Sequence, residues 1–224
     1  MEIPHVKKLI LYEDEHILVV NKPAGLAVLP DGWEPGAPYL LSLLQAKFPG
    51  LLVVHRLDKV TSGVMVFART AESHRSLNLQ FEHHTPQKIY HALCMGVPNW
   101  DEHTARHKLR INVGHSHRTV VDNGQGKPAE THFKVLQRWR KYALLQAIPA
   151  TGRTHQIRVH AYALGFPLLG DSFYSAPSTD LIDRPALHAH ALAFIHPASL
   201  EPVAFTAPYP EDFKSALGKI RAGQ

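Results

Sequence analysis

A chain of 224 residues with 45% apolar and 19% charged side chains has a globular balance and enough length for a sizeable core, which excludes intrinsic disorder. Its single cysteine, Cys94, excludes an internal disulfide framework. No apolar run approaches the roughly 18 residues of a membrane helix, and Met1–Leu9 lacks the apolar core of a secretory leader, so a protein of the reducing cytoplasm with no membrane association is expected. The net charge of +5 is concentrated: between His103 and Lys141 nine Lys or Arg face only Asp122 and Glu130, leaving that stretch at +7 and the remainder at −2. A basic stretch on a nearly neutral body suits a polyanion surface or a solubilising face, and charge alone does not separate the two.

In chain order, Ile17–Val20 reads as a buried strand ended by the turn signal Asn21-Lys22-Pro23-Ala24-Gly25. The proline- and glycine-rich residues 29–38 form a loop. Leu40 to Phe48 reads as a helix stopped by Pro49-Gly50, and Leu51–Val54 and Val64–Ala68 as two further strands. Thr70 caps a predicted helix through Phe81, with Leu77 and Phe81 on its inner face. Ile89–Met95, Phe133–Val135 and Ala143–Ile148 read as strands. Thr154 is placed to cap a helix from His155 to Leu164, with Gly165 as its stop. No repeat or interdomain linker interrupts the pattern. Residues 1–224 are therefore expected to form a single domain of the α+β class, a mostly antiparallel sheet with flanking helices.

Three segments carry candidate chemistry. His55-Arg56-Leu57-Asp58-Lys59-Val60-Thr61-Ser62-Gly63 is a polar turn between two apolar strands, so Asp58 is expected at the edge of a rigid scaffold. There it could act as nucleophile, base or stabiliser, or only cap a turn; Thr61 and Ser62 could bond local backbone, and Gly63 permits a tight return. In Thr151-Gly152-Arg153-Thr154-His155-Gln156-Ile157-Arg158-Val159-His160, Ile157, Ala161 and Leu164 form the core-facing stripe, so Arg158 sits beside the buried face and calls for a carboxylate partner. In Lys88-Ile89-Tyr90-His91-Ala92, strand alternation sends Ile89 and Tyr90 to opposite faces. If Ile89 faces the core, Tyr90 is free to stack on a base, although a packing tyrosine at a sheet edge fits equally.

His55-Arg56-Leu57-Asp58 followed by Thr61-Ser62-Gly63 resembles the catalytic motif of the RluA-like family of pseudouridine synthases. The family's other landmarks follow in order: Asn21 to Gly25, Lys88-Ile89-Tyr90, Gly126-Lys127-Pro128-Ala129 with Thr131, and Thr151 to His160 continuing to Leu164-Gly165, Gly170-Asp171 and Tyr174. The resemblance runs from about Leu11 to Phe213, and five motifs in order are far more specific than any one of them. It implies the pseudouridine synthase catalytic fold with an active-site cleft and isomerisation of uridine in a ribosomal or transfer RNA stem-loop; separately, the chain is expected to act as a monomer. It implies Asp58 as the catalytic aspartate, Tyr90 as the ring stacked on the target uracil and Arg158 as the partner of the aspartate. Arg56 would enter the RNA near the space left by the flipped nucleotide. With only about ten residues before Leu11, the small RNA-binding domain found in many members is expected to be absent here. The reaction is neither redox nor hydrolytic, so no cofactor or metal is expected.

Other readings compete. His188-Ala189-His190 and His115-Ser116-His117 put paired imidazoles on one strand face, as some zinc sites do, but no Cys or carboxylate cluster accompanies them. A non-enzymatic RNA-binding module would explain the basic stretch yet has no need of Asp58, Tyr90 and Arg158 together. A histidine phosphodiesterase would cleave strands. The segment from Asn99 to Gly126 is where target specificity is expected.

Overall fold

The computed structural model describes residues 6–32, 34, 36–114 and 118–223. In order these form α1 (Val6–Leu9), β1 (Ile10–Glu13), β2 (Ile17–Lys22), α2 (Leu40–Gln45), β3 (Leu52–Val53), β4 (Ser62–Ala68), α3 (Ala71–Glu82) and β5 (Gln87–Met95). There follow β6 (Glu102–Val113), β7 (Arg118–Val121), β8 (Lys127–Arg138), β9 (Tyr142–Pro149), α4 (Gln156–Ala163), a 3-10 turn (Ser172–Tyr174), β10 (Leu187–Ile195), β11 (Pro202–Thr206) and α5 (Glu211–Ala222). The fold is α+β and its sheet pairings are mostly antiparallel, as the sequence implied. The chain divides into two compact units, Met1–Lys88 with Ala189–Pro208, and Ile89–His188 with Tyr209–Gln224.

In the first unit the strand order is β1-β2-β4-β10, with β3 also paired to β4 and β11 to β10. Strands β2 and β4 are antiparallel, Val19 opposite Val66 and Val20 opposite Met65. Ile17–Val20 and all of β4 are buried, which is why both read as continuous apolar runs rather than alternating ones. Thr70 caps α3 as expected, its hydroxyl accepting from the Ser73 N–H at 3.1 Å, and Leu77 points inward. Two elements are shorter than their apolar runs suggested. Helix α2 ends at Gln45, and β3 keeps only Leu52 and Val53 against Ala68 and Phe67 before the chain leaves the sheet.

In the second unit the order is β5-β9-β8-β6-β7. Ala92, Cys94, Phe133, Ala143 and Leu145 pack against Ile157 and Ala161 of α4, burying one apolar cluster. A second cluster joins Leu93, Trp139 and Leu144 to Phe213, Ala216, Leu217 and Ile220 of α5. Those four α5 positions follow the i, i+3, i+4, i+7 pattern, with Glu211 and Asp212 in the first turn and Lys219 and Arg221 in the last, as the helix dipole favours. Strand β6 is hard to read from sequence because only Ala105 and Leu109 of its twelve residues are buried. Gly165 does end α4, at φ +86°, with Gly165 N–H bonded to Tyr162 O and Phe166 N–H to Ala161 O. Thr154 is not its cap. That position belongs to His155, in the left-handed region at φ 55°, because the Gln156 side chain ties the preceding turn instead.

Candidate active site

In the first unit the segment carrying Asp58 lies between β3 and β4, outside both strands. His55 lies against α3, its ring stacked on Phe81 at 4.4 Å, and its Nε2 accepts the Val66 N–H at 3.1 Å. Arg56 is exposed, Leu57 is buried and Asp58 is half-buried. Burial, with a smaller contribution from the charge of Lys88, pushes the His55 imidazole down to about 3, so it stands neutral as an acceptor. A tight turn follows, Thr61 N–H donating to Asp58 O at 3.0 Å. Among the described residues the buried Thr61 hydroxyl has no hydrogen-bond partner, so it does not bond the local backbone as the sequence suggested. Gly63, at φ +121°, is required by its neighbour in β10, since a Cβ there would meet Ala189 O at 2.1 Å.

The Asn21–Gly25 turn signal holds a buried cation beside this turn. Lys22 is fully buried, and its Nζ donates to Pro23 O and Leu26 O at 2.8 Å and to Lys59 O at 3.1 Å. The Gly25 N–H reaches the same Lys59 carbonyl at 2.8 Å. An ammonium has three N–H donors, and three carbonyls take them, so one buried cation bolts the Asn21–Gly25 turn to the peptide that follows Asp58. The Lys59 side chain points outward to Glu34 at 2.8 Å and Asp31 at 3.4 Å.

In the second unit Arg158 is buried on α4 and does have a carboxylate partner there. Its Nε and Nη2 each lie 2.7 Å from an oxygen of Asp171, a buried bidentate pair. Gly170, at φ +70°, sets up that approach, since a Cβ at Gly170 would strike Arg184 O at 2.3 Å. The guanidinium also lies over Tyr174, 5.0 Å from its ring centroid. The Tyr174 hydroxyl accepts from Thr119 N–H at 3.2 Å, donates to Thr119 O at 3.1 Å and meets His155 Nδ1 at 3.0 Å. Burial raises this phenol, keeping it protonated. Gln156 is a further hub: its Nε2 donates to Glu130 O and Thr131 Oγ1, while its Oε1 accepts from Thr151 Oγ1 and Arg153 N–H.

Tyr90 sits on β5 opposite Ala147 of β9. Tyr90 is half-buried and packs against the apolar cluster that includes Ala92 and Cys94, where α4 inserts Ile157 and Ala161. Its ring therefore shares a support with the helix that carries Arg158. Of the four sequence-derived site residues, Arg56 and Asp58 share one segment of the first unit, and Tyr90 and Arg158 share one cluster's surroundings in the second. Lys22, Gln156, Asp171 and Tyr174 frame those residues and were not assigned roles from sequence. Among the described residues no three His, Cys, Asp or Glu side chains are grouped to hold a metal, and His115 and His117 lie outside the described residues. No helix among them is long and apolar enough to cross a membrane.

The family model described as RNA pseudouridylate synthase matches residues 16–163. The chain is 37% identical to a ribosomal large subunit pseudouridine synthase C of Vibrio cholerae, over 98% of its own length and 71% of that protein. It is 40% identical to a dual-specificity RNA pseudouridine synthase, RluA, of Salmonella typhi, over 89% of its length and 92% of that protein. Among solved structures it superposes on the human RNA pseudouridylate synthase domain-containing protein 4 with a TM-score of 0.80 and 27% identity, covering 96% of this chain and 94% of that one.

Proposed function

The chain belongs to the RNA pseudouridylate synthase family, isomerases that form pseudouridine in RNA, and from that premise we propose that Asp58 is its essential catalytic carboxylate. The reaction breaks the bond between uracil N1 and ribose C1′ and forms one between C5 and C1′; the C5 proton leaves and N1 gains one. An ionised Asp58 serves either route to that exchange, attack on C1′ or removal of a ribose proton to form a glycal. The observation that carries the assignment is the anchoring of its segment, with Leu57 buried before it and the Lys59 carbonyl bolted by Lys22 after it, while Asp58 itself keeps access to solvent.

The remaining roles follow the same reading. The target base must leave its stack to be reached, which costs a few kcal/mol, and stacking on Tyr90 offsets about 1–3 kcal/mol of that. The exposed Arg56 contacts the RNA where the base has left. The substrate is a stem-loop of ribosomal or transfer RNA, and the chain acts as a monomer in the cytoplasm, with no cofactor or metal called for by a redox-neutral, non-hydrolytic isomerisation. Asp58→Asn keeps the shape of the side chain and removes its charge. It is expected to bind RNA as the parent does and to release no tritium from C5-labelled uridine in RNA. Near-parental release by that variant would refute the assignment, whereas loss of RNA binding would mark Asp58 as a structural residue.

A further inference from the structure

The basic stretch between His103 and Lys141 is less free than its sequence suggests. Arg106 pairs with Glu130, Arg110 with Asp122, Lys134 with Glu102 and Arg138 with Asp101. Arg118, at the start of β7, is different. Its guanidinium lies 5.1 Å from the Tyr174 ring centroid and 5.3 Å from that of Phe173, the same two rings that carry Arg158 at 5.0 and 5.7 Å. Two cations therefore share one pair of aromatic rings beside one carboxylate. Both oxygens of Asp171 bond Arg158, and Asp171 is 1% exposed. Among the described residues no carboxylate pairs with Arg118, and its Nε is buried without a hydrogen-bond partner.

We propose that Arg118, held on Tyr174 and Phe173 beside the Arg158–Asp171 pair, binds a backbone phosphate of the RNA substrate. The reading rests on RNA being the substrate. A guanidinium stacked on a ring keeps its terminal Nη1/Nη2 edge clear of that ring, and this edge, not the buried Nε, matches two phosphate oxygens. The aromatic shelf is rigid because the Tyr174 hydroxyl is fixed to both backbone groups of Thr119, the residue next to Arg118. Holding the cation in place before binding lowers the entropy cost of the contact. Arg118 is half-buried, so it reaches solvent while an adjacent surplus positive charge awaits a counterion.

The test measures binding of a fluorescein-labelled RNA stem-loop with a uridine-rich loop, by anisotropy, across about 50 to 200 mM salt. Arg118→Gln is expected to bind several-fold more weakly at low salt and to reduce the slope of log affinity against log salt by about 0.7–0.9, the loss of one phosphate contact. Arg118→Lys is expected to keep the parental slope. Weaker binding with an unchanged slope would mean that Arg118 only braces the fold and would overturn the proposal. Should the Gln variant fail to fold, phenylglyoxal labelling of the parent protein decides: Arg118 should be modified in the free protein and protected by the RNA, and equal labelling would overturn the proposal. A parent protein that shows no salt-dependent RNA binding would instead remove the RNA reading itself, and the Arg118 proposal with it.

Discussion

The Arg158–Asp171 pair shows how different two ion pairs can be within one unit. Both partners are buried, with side-chain exposures of 5% and 0%, whereas those of Arg106 and Glu130 are 68% and 41%. Removing one member of a buried pair strands a charge in a poorly solvated place and costs about 3–5 kcal/mol, while an exposed pair contributes about 1 kcal/mol or less. Asp171→Ala is therefore expected to lower the urea midpoint strongly and Glu130→Gln barely to move it. Similar midpoints for the two variants would show that Arg158 finds other solvation when Asp171 is gone. The sequence called for a carboxylate beside Arg158 from helical periodicity, and one is there. That Asp171 would take this place was not legible, because it lies thirteen residues away across a loop whose course is set by Gly170 and its close approach to Arg184.

Between elements, the joint at Lys22 links the end of β2 to the turn before β4. Its Nζ satisfies carbonyls on both sides, so the buried ammonium is tolerated only while the two turns stay together. Lys22→Met matches the length of the stem but offers no donor, leaving three carbonyls short of a partner. We expect a loss of at least about 2 kcal/mol in unfolding free energy, and a fall in tritium release larger than the fall in RNA affinity, since the segment displaced is the one holding Asp58. An unaltered release rate in a folded Lys22→Met protein would separate this joint from catalysis. The entrance to α4 makes a related point. A threonine before an amphipathic run is a fair reading of an N-cap, but Gln156 ties the preceding turn at the Arg153 N–H and the Thr151 hydroxyl, and the N-cap position falls to His155.

For the molecule as a whole, burial of neutral histidines sets the acid limit of stability. His55 in the first unit is held down to about 3, and His160 in the second to about 4, by burial with a lesser contribution from His107. The unfolded chain protonates these imidazoles near pH 6.5, so between that value and the folded ones the unfolded state binds more protons. Stability should then be flat above about pH 6.5 and decline below it, by up to about 1.4 kcal/mol per pH unit for each histidine, before the depressed carboxylates Asp14, Asp122 and Asp212 lose their charge at lower pH. Urea titrations at pH 8, 6.5 and 5 would check this. Equal unfolding free energies at pH 8 and pH 5 would contradict the assignment of these rings as buried and neutral.

What the amino-acid order determined by itself is what local physics controls. Apolar runs such as Ile17–Val20 and Val64–Ala68 become buried strands, Thr70 caps α3, Gly165 ends α4, and the ordered motifs around Asp58, Tyr90 and Arg158 identify the family. What only the tertiary structure decided is which distant groups complete those local pieces. The Asp171 carboxylate on Arg158, the Lys59 carbonyl on Lys22, the α4 side chains in the cluster that supports Tyr90 and the rings that hold Arg118 all come from other elements of the chain. The reason is physical: a buried charge or ring is satisfied by whatever the fold brings within hydrogen-bond or van der Waals distance, and sequence separation does not encode that distance.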